Sequence, residues 1–328
     1  MGDMNDRGRL DSYRRSLQLV LGLIWLLDAA LQYQPYMFTR AFPQQVLAPV
    51  GRGNPGWIAH PVHWAAHLTA AHVVVANAAF ASVQLLIALG LFTRATVRIA
   101  LAGSMIWSLG VWWMGEGLGG LLVGPQSPIM GAPGAAVIYA LISILIWPRR
   151  DALPVTERST ESVATTGPLR AIAPRLAWMV LWGSFAVQSL QASNRSPSAL
   201  HDQVAGMAAG ESAWLRAIDR RFASILAHHG TEVSIALAIV FTSIALTVFG
   251  GTRILRSGLL VAVAVAALIW LVGENLGEIA TGQATDPNSG VLLMLLAAAY
   301  WPVAKSDIRP QTTTTLVRRT TAGRVLSV

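Results

Sequence analysis

"WWMGEGLGG" (112–120) and "IWLVGENLGE" (269–278) decide how this chain is read. Each closes an apolar run with Gly-Glu and then a glycine-rich turn, so Glu116 and Glu274 stand at matching places. Working outward, Arg98 lies eighteen residues before Glu116, and Arg256 eighteen before Glu274. "GLFTRATVR" (90–98) faces "VFGGTRILR" (248–256) after a one-residue slip, and "LLDAALQ" (26–32) faces "FAVQSLQ" (185–191). Trp57 and His72 are fifteen residues apart, as are Trp214 and His229. Downstream, Gly124 matches Gly282, and each copy ends in Trp-Pro, at 147–148 and 301–302. Intervals kept in register over about 130 residues are the mark of an internal duplication.

Composition says what is duplicated. Of 328 residues, 54% are hydrophobic and 12% charged, with mean hydropathy +0.52. A soluble domain carries about 25% charged residues. Half that fraction, with apolar runs near the length of a bilayer crossing, predicts a polytopic all-α membrane protein. Eight spanning helices are expected, at 16–33, 67–92, 95–114, 131–148, 173–191, 231–250, 254–273 and 287–303. They divide into a first four-helix repeat (16–148) and a second (173–303), joined by the polar linker "RRDALPVTERSTESVATTGPLRAI" (149–172). That linker reads as a flexible connection. A short N-terminal tail (1–15) and a flexible C-terminal tail (304–328) complete the chain. An even number of helices per repeat predicts parallel copies about an axis along the membrane normal.

The formal charge of +8 does not point to nucleic acid, because the basic residues sit in short segments between apolar runs. Arg14, Arg15, Arg94, Arg98, Arg253 and Arg256 share one side with the linker and both termini. The positive-inside rule therefore predicts a multi-pass plasma-membrane protein with both termini cytoplasmic and lipids as its first partners. With no cysteine, disulfides and thiolate metal or redox sites are excluded.

Several polar residues stand out against this apolar background. Glu116 and Glu274 read either as caps for loop amides or as a shared proton, cation or substrate site between repeats. His72 and His229 each begin the second helix of a repeat, where a His–Glu pair would form a proton relay, half of a metal site, or a bond that locks two helices together. Asp28 lies inside an apolar helix, so it needs either a partner, Gln32 one turn on being a candidate, or a proton. Glu278 and Asp286 add oxygen ligands near Glu274. In "HPVHWAAH" (60–67), His60, His63 and His67 align on one helical face, and His63/His67 is a metal-chelating interval. Pro61 speaks against continuous helix through His60. In "SAWLRAIDRRFASILAHH" (212–229), Trp214, Leu215, Ile218, Phe222 and Ile225 share a face, which predicts an amphipathic helix along the outer interface.

"QLLIALGLFTRATVRIAL" (84–101) is an apolar helix, a Thr-Arg turn and a second apolar helix. It resembles the central hairpin of the DoxX-like membrane proteins, which are four-helix units. The acidic residue that many members carry on this hairpin helix has no counterpart here, where Asn77 and Gln84 stand. The resemblance implies a redox-associated subunit working with quinone and a redox partner protein. The residues themselves point to an outward-facing Glu/His site, and leave a small-solute or proton transporter component, or a non-catalytic scaffold, as alternatives.

Overall fold

The computed structural model describes residues 2–123, 127–148, 162–169, 172–208 and 211–303, with side chains from residue 8 onward. These residues form an all-helical polytopic membrane protein. Its helices are α1 (Gly2–Gln32), the single turn α2 (Ala48–Val50), α3 (Gly56–Ala71), α4 (Val73–Phe92), α5 (Val97–Met114) and α6 (Ala135–Leu145). They continue with α7 (Ile172–Ser189), α8 (Ala199–Met207), α9 (Ala213–Leu226), α10 (Gly230–Leu246), α11 (Thr252–Leu268) and α12 (Asn288–Ala299). Five segments are long and apolar enough to cross a membrane: Gly8–Gln32, Val73–Phe92, Val97–Met114, Gly230–Phe249 and Thr252–Gly273.

The remaining three expected spans differ from that standard. α7 has the length but is less apolar, while α6 and α12 are short. At 1.5 Å per residue, an eleven-residue helix reaches about 16 Å, roughly half a hydrocarbon core. The expected spans 131–148 and 287–303 are helical only over 135–145 and 288–299. Gly131, Gly134 and Gly282 hold positive φ in the approaches to these helices; Pro133 stands two residues before α6 and Pro287 directly before α12. The expected span 67–92 also breaks, at His72, where φ −131° and ψ 44° separate α3 from α4. α1 runs through the segment expected to be a tail and begins at Gly2.

Packing explains why two short helices are tolerated. α1 packs on α4 and α5 on α6; α7 packs on α10 and α11 on α12; α6 and α12 meet in the middle. Most of α6 and α12 is buried, including Ile138, Ile142, Leu292 and Leu296 at 0% exposure. The long helices instead present Leu86, Ile99, Ile106, Ile239 and Leu260 outward. Irregular backbone at membrane depth is viable only when protein covers it, and the short helices occupy the covered centre.

At the end bearing the first residues of α1, Arg15 donates to the carbonyls of Leu91 (2.8 Å) and Phe92 (2.6 Å), capping α4. Gln18 reaches the Ile146 carbonyl at 2.9 Å. Within the expected linker, Val163 and Ala164 are part of the core and Thr166 accepts from Arg14 at 2.9 Å. That portion is docked rather than free, because its small apolar residues find an apolar seat. The rest of the linker before 162, and the tail 304–328, lie outside the described residues, as does Gly124.

Candidate functional site: a carboxylate cluster at the starts of two short helices

Glu116 follows α5, and its Oε1 accepts from the backbone N–H of Ala136 at 3.1 Å, at the start of α6. Glu274 follows α11 and accepts from the N–H groups of Ser289 (3.2 Å) and Gly290 (2.9 Å) and from the Ser289 hydroxyl, at the start of α12. Each glutamate thus caps a helix that is not its own, where unpaired N–H groups and the positive end of the dipole favour an anion. A tryptophan four residues earlier completes each arrangement. Trp112 Nε1 donates to the Pro133 carbonyl at 2.8 Å, and Trp270 Nε1 to the Pro287 carbonyl at 2.9 Å.

Beyond each glutamate the backbone turns left-handed for four residues. Gly117, Leu118, Gly119 and Gly120 have φ of 56°, 57°, 62° and 68°; Asn275, Leu276, Gly277 and Glu278 have 44°, 56°, 74° and 53°. This conformation costs a non-glycine residue about 1–2 kcal/mol. Gly119 is pressed against the Pro133 carbonyl and Gly277 against that of Pro287, so a Cβ at either position would collide. The turn therefore docks on the residues that start the short helix. Strain of this kind persists only where surrounding structure enforces it.

The two glutamates share a neighbourhood. Asp286 Oδ1 accepts from the Asn288 N–H and its Oδ2 from the Thr285 hydroxyl, both at 2.8 Å. Desolvation, then the Asp286 charge, push Glu116 up to about 8 against the helix N–H bonds of Ala136 and Ala135. Desolvation also lifts Glu274, to about 7, the Ser289 hydroxyl and the Gly290 N–H holding it lower. Asp286 is itself raised by desolvation, although its surface retains partial exposure. Glu274 is 1% exposed, whereas Glu116 is half-buried with Oε2 enclosed and without a partner.

Asp28 joins from α1. It is 1% exposed, and its Oδ2 accepts from the Tyr139 hydroxyl at 2.6 Å, while Oδ1 has no partner. Asp286 lies within electrostatic range of both Asp28 and Tyr139. The expected Asp28–Gln32 pair does not form. Gln32 and Asn77 instead hydrogen-bond across α1 and α4, Asn77 Nδ2 also donating to the Gln32 carbonyl at 2.8 Å.

His72 and His229 lie apart from this cluster. They are exposed at the N-caps of α4 and α10, and among the described residues no hydrogen bond joins either to a glutamate. His60, His63 and His67 lie on the exposed face of α3, whose buried face is Ile58, Val62, Ala66 and Thr69. α3 runs unbroken through His60 despite Pro61. No group of three His, Cys, Asp or Glu residues able to hold a metal occurs among the described residues. Glu278 is half-buried and raised by desolvation and then by Glu211.

α9 is amphipathic as expected but rotated. Leu215, Asp219 and Ala223 form its buried stripe, with Ile218, Phe222 and Leu226 half-covered against Val204 and Val272, whereas Trp214 and Ile225 are exposed. Tyr139 and Ser289 were missed by sequence reasoning. Their signals were a lone tyrosine in an apolar helix and a serine directly after the Asp-Pro-Asn turn. Comparison with known protein families, with curated proteins and with solved structures finds no match.

Proposed function

We propose that this is a proton-handling membrane protein, in which Glu116, Glu274, Asp286 and Asp28 take up and release protons near the centre of the helix bundle. One observation carries the reading. Four carboxylates converge there, and the partners they find are backbone N–H groups and hydroxyls; no ion pair to Lys, Arg or His is seen for any of them among the described residues. A group of buried acids without counter-charge does not hold four negative charges, so its members bind protons or a cation. Partly exposed Asp286 offers the way in.

The architecture belongs to the same proposal. It is a tandem pair of DoxX-like four-helix units (16–148 and 173–303), crossing eight times if α7 and the half-length α6 and α12 are counted. The repeated Trp–Pro bonds, Glu caps and left-handed turns support the duplication. The same arginine placement supports cytoplasmic termini, and a plasma-membrane location is part of the proposal. Quinone and a redox partner rest on the DoxX-like resemblance alone. A second reading has its own support, because the N–H bonds of Glu116 and Glu274 are what a purely structural cap would make.

Proteoliposomes loaded with a pH-sensitive dye and driven by a potassium–valinomycin potential separate the two. The native protein is expected to pass protons faster than empty vesicles, and the E116Q/E274Q double variant to lose that excess. Flux indistinguishable from empty vesicles, or undiminished in a correctly inserted double variant, would leave the glutamates as caps.

A further inference from the structure

Glu116 and Glu274 belong to different halves of the chain, yet one short segment of the first half touches both. Pro128–Met130 forms a single 3₁₀ turn that packs on Ile269–Gly273. There the Ile129 carbonyl lies so close over Gly273 that a Cβ on that glycine would collide with it. Gly131 comes next, with φ 84°. A methyl placed on it would stand 3.2 Å from Glu274 Oε1 and 2.8 Å from Asn288 Oδ1. Three residues on, the Gly134 N–H donates to the Gly131 carbonyl at 2.8 Å and closes a four-residue turn. A Cβ on Gly134 would collide with Glu116 Oε2. The ends of such a turn lie within about 7 Å of each other. The two glutamates therefore sit at opposite ends of one turn, Glu274 at Gly131 and Glu116 at Gly134.

The turn is held from the first half, where Trp112 donates to the Pro133 carbonyl and Gly119 presses against it. The second half makes no matching reach. Pro287 answers to Pro133, since each accepts from a tryptophan, so Thr285 stands where Gly131 does. The Thr285 hydroxyl donates to Asp286, and among the described residues no hydrogen bond joins it to Glu116. Glu274 Oε1, by contrast, accepts from the Ser289 N–H and hydroxyl and has Gly131 beside it. A side chain at 131 would push Oε1 away from those donors, and donors of this kind stabilise the ionised carboxylate.

We infer that Gly131 is a positioning residue for Glu274: a turn from the first half holds the carboxyl of the second in the place where it binds its proton. This rests on the proton-handling reading and deepens it, because the acid of one half is then set by the backbone of the other. The titratable groups facing the pair are Asp286, within electrostatic range of both glutamates, and Tyr139, within range of Glu116.

The test follows the carbonyl stretch of protonated carboxyl groups by infrared spectroscopy across pH, on full-length protein in mild detergent. In an E116Q background, the band that E274Q removes belongs to Glu274. Gly131→Ala should move the midpoint of that band upward, to proton binding about threefold tighter, or about half a pH unit. In an E274Q background the Glu116 band should move less, because Gly131 meets Glu274 and not Glu116. A turn that only shapes the approach to α6 would lose stability and leave the Glu274 midpoint in place, which overturns the inference. Equal movement of both bands would show a general loosening and overturn it too. Should Gly131→Ala fail to fold, Trp112→Phe frees the Pro133 carbonyl without adding bulk. In the E116Q background it should displace the Glu274 midpoint by a similar factor, and an unmoved midpoint overturns the inference equally. Proteoliposome flux is read separately. A moved midpoint without glutamate-dependent flux would sink the proton function and keep the positioning role, whereas flux without a moved midpoint does the reverse.

Discussion

Replacing Glu116 by Gln tests the electrostatics of the site in a single curve. Burial and Asp286 hold the native carboxyl at about 8, against an ordinary 4.5. Below about pH 4.5 both folded and unfolded chains carry the proton, and the group contributes nothing to pH dependence. Between there and pH 8 the folded chain keeps a proton that the unfolded chain releases. Stability therefore falls as pH rises, and the penalty is complete above 8. Three and a half pH units at 1.36 kcal/mol each give about 5 kcal/mol, a ceiling because Glu116 is only half-buried. Glutamine carries no such penalty. Its Oε1 still accepts from Ala136, but its NH₂ occupies the place of Oε2, which has no partner beside Gly134. An unsatisfied buried amide costs about 1–3 kcal/mol. The variant should be less stable than the native protein near pH 5 by that amount, and more stable near pH 9 by roughly 2–4 kcal/mol. Thermal unfolding in detergent, followed by the fluorescence of the twelve tryptophans, should show two curves that cross. Parallel curves would refute the burial argument, whatever their separation.

Further outcomes follow from neighbouring residues. The stability difference between native and Glu274→Gln should level off at lower pH than that of Glu116→Gln, because the Ser289 and Gly290 donors hold Glu274 nearer 7; a plateau reached only at higher pH would contradict that ranking. Gly119→Ala and Gly277→Ala should each destabilise by more than about 2 kcal/mol, measured as lost folded yield, since φ is positive and Pro133 or Pro287 blocks the new methyl. Gly117→Ala brings similar crowding against Val50 and Asn54, with softer atoms, and should cost less. In this cysteine-free chain, single cysteines at exposed Gln283 and exposed Ala95 report sidedness. An impermeant thiol reagent on intact cells should mark position 283 alone, and labelling of position 95 alone would invert the topology.

Much of the architecture was legible because it follows from periodic or repeated features. Apolar runs mark α4, α5, α10 and α11, and the paired Gly-Glu turns mark the two caps. What stayed hidden has a common physical cause: it depends on which neighbour wins a shared side chain. Asp28 and Gln32 are one turn apart, yet Tyr139 takes the first and Asn77 the second. Asp219 lies outside the apolar set Trp214, Leu215, Ile218, Phe222 and Ile225, yet the helix rolls to bury Leu215 and Ala223 and takes Asp219 with them. The breaks that shorten α6 and α12 come from loop conformations that hydropathy does not register. His72 and His229 matched in spacing because both cap a helix at the same place, and that equivalence places neither beside a carboxylate.

The half-length helices and the glutamates are one device. A helix too short to span needs a covered, satisfied approach, and each Glu supplies it by accepting from N–H groups that would otherwise be orphaned in a dry centre. Ionised, the carboxylate gains the helix dipole, worth about 0.3–1 kcal/mol at an exposed terminus and up to about 2 when partly buried. Desolvation opposes that gain and is here the larger effect. Protonated, the carboxyl gives up part of its grip on the helix start. The charge state of Glu116 therefore bears directly on how firmly the approach to α6 is held, and that of Glu274 on the approach to α12. Asp286 raises both pKa values, so a charge on Asp286 favours the proton on each glutamate. α6 and α12 pack together, so the two capped helix starts belong to helices that share one contact. One carboxylate acts on both caps, so the proposed proton-handling role treats Glu116 and Glu274 as an electrostatically coupled pair and not as two independent caps.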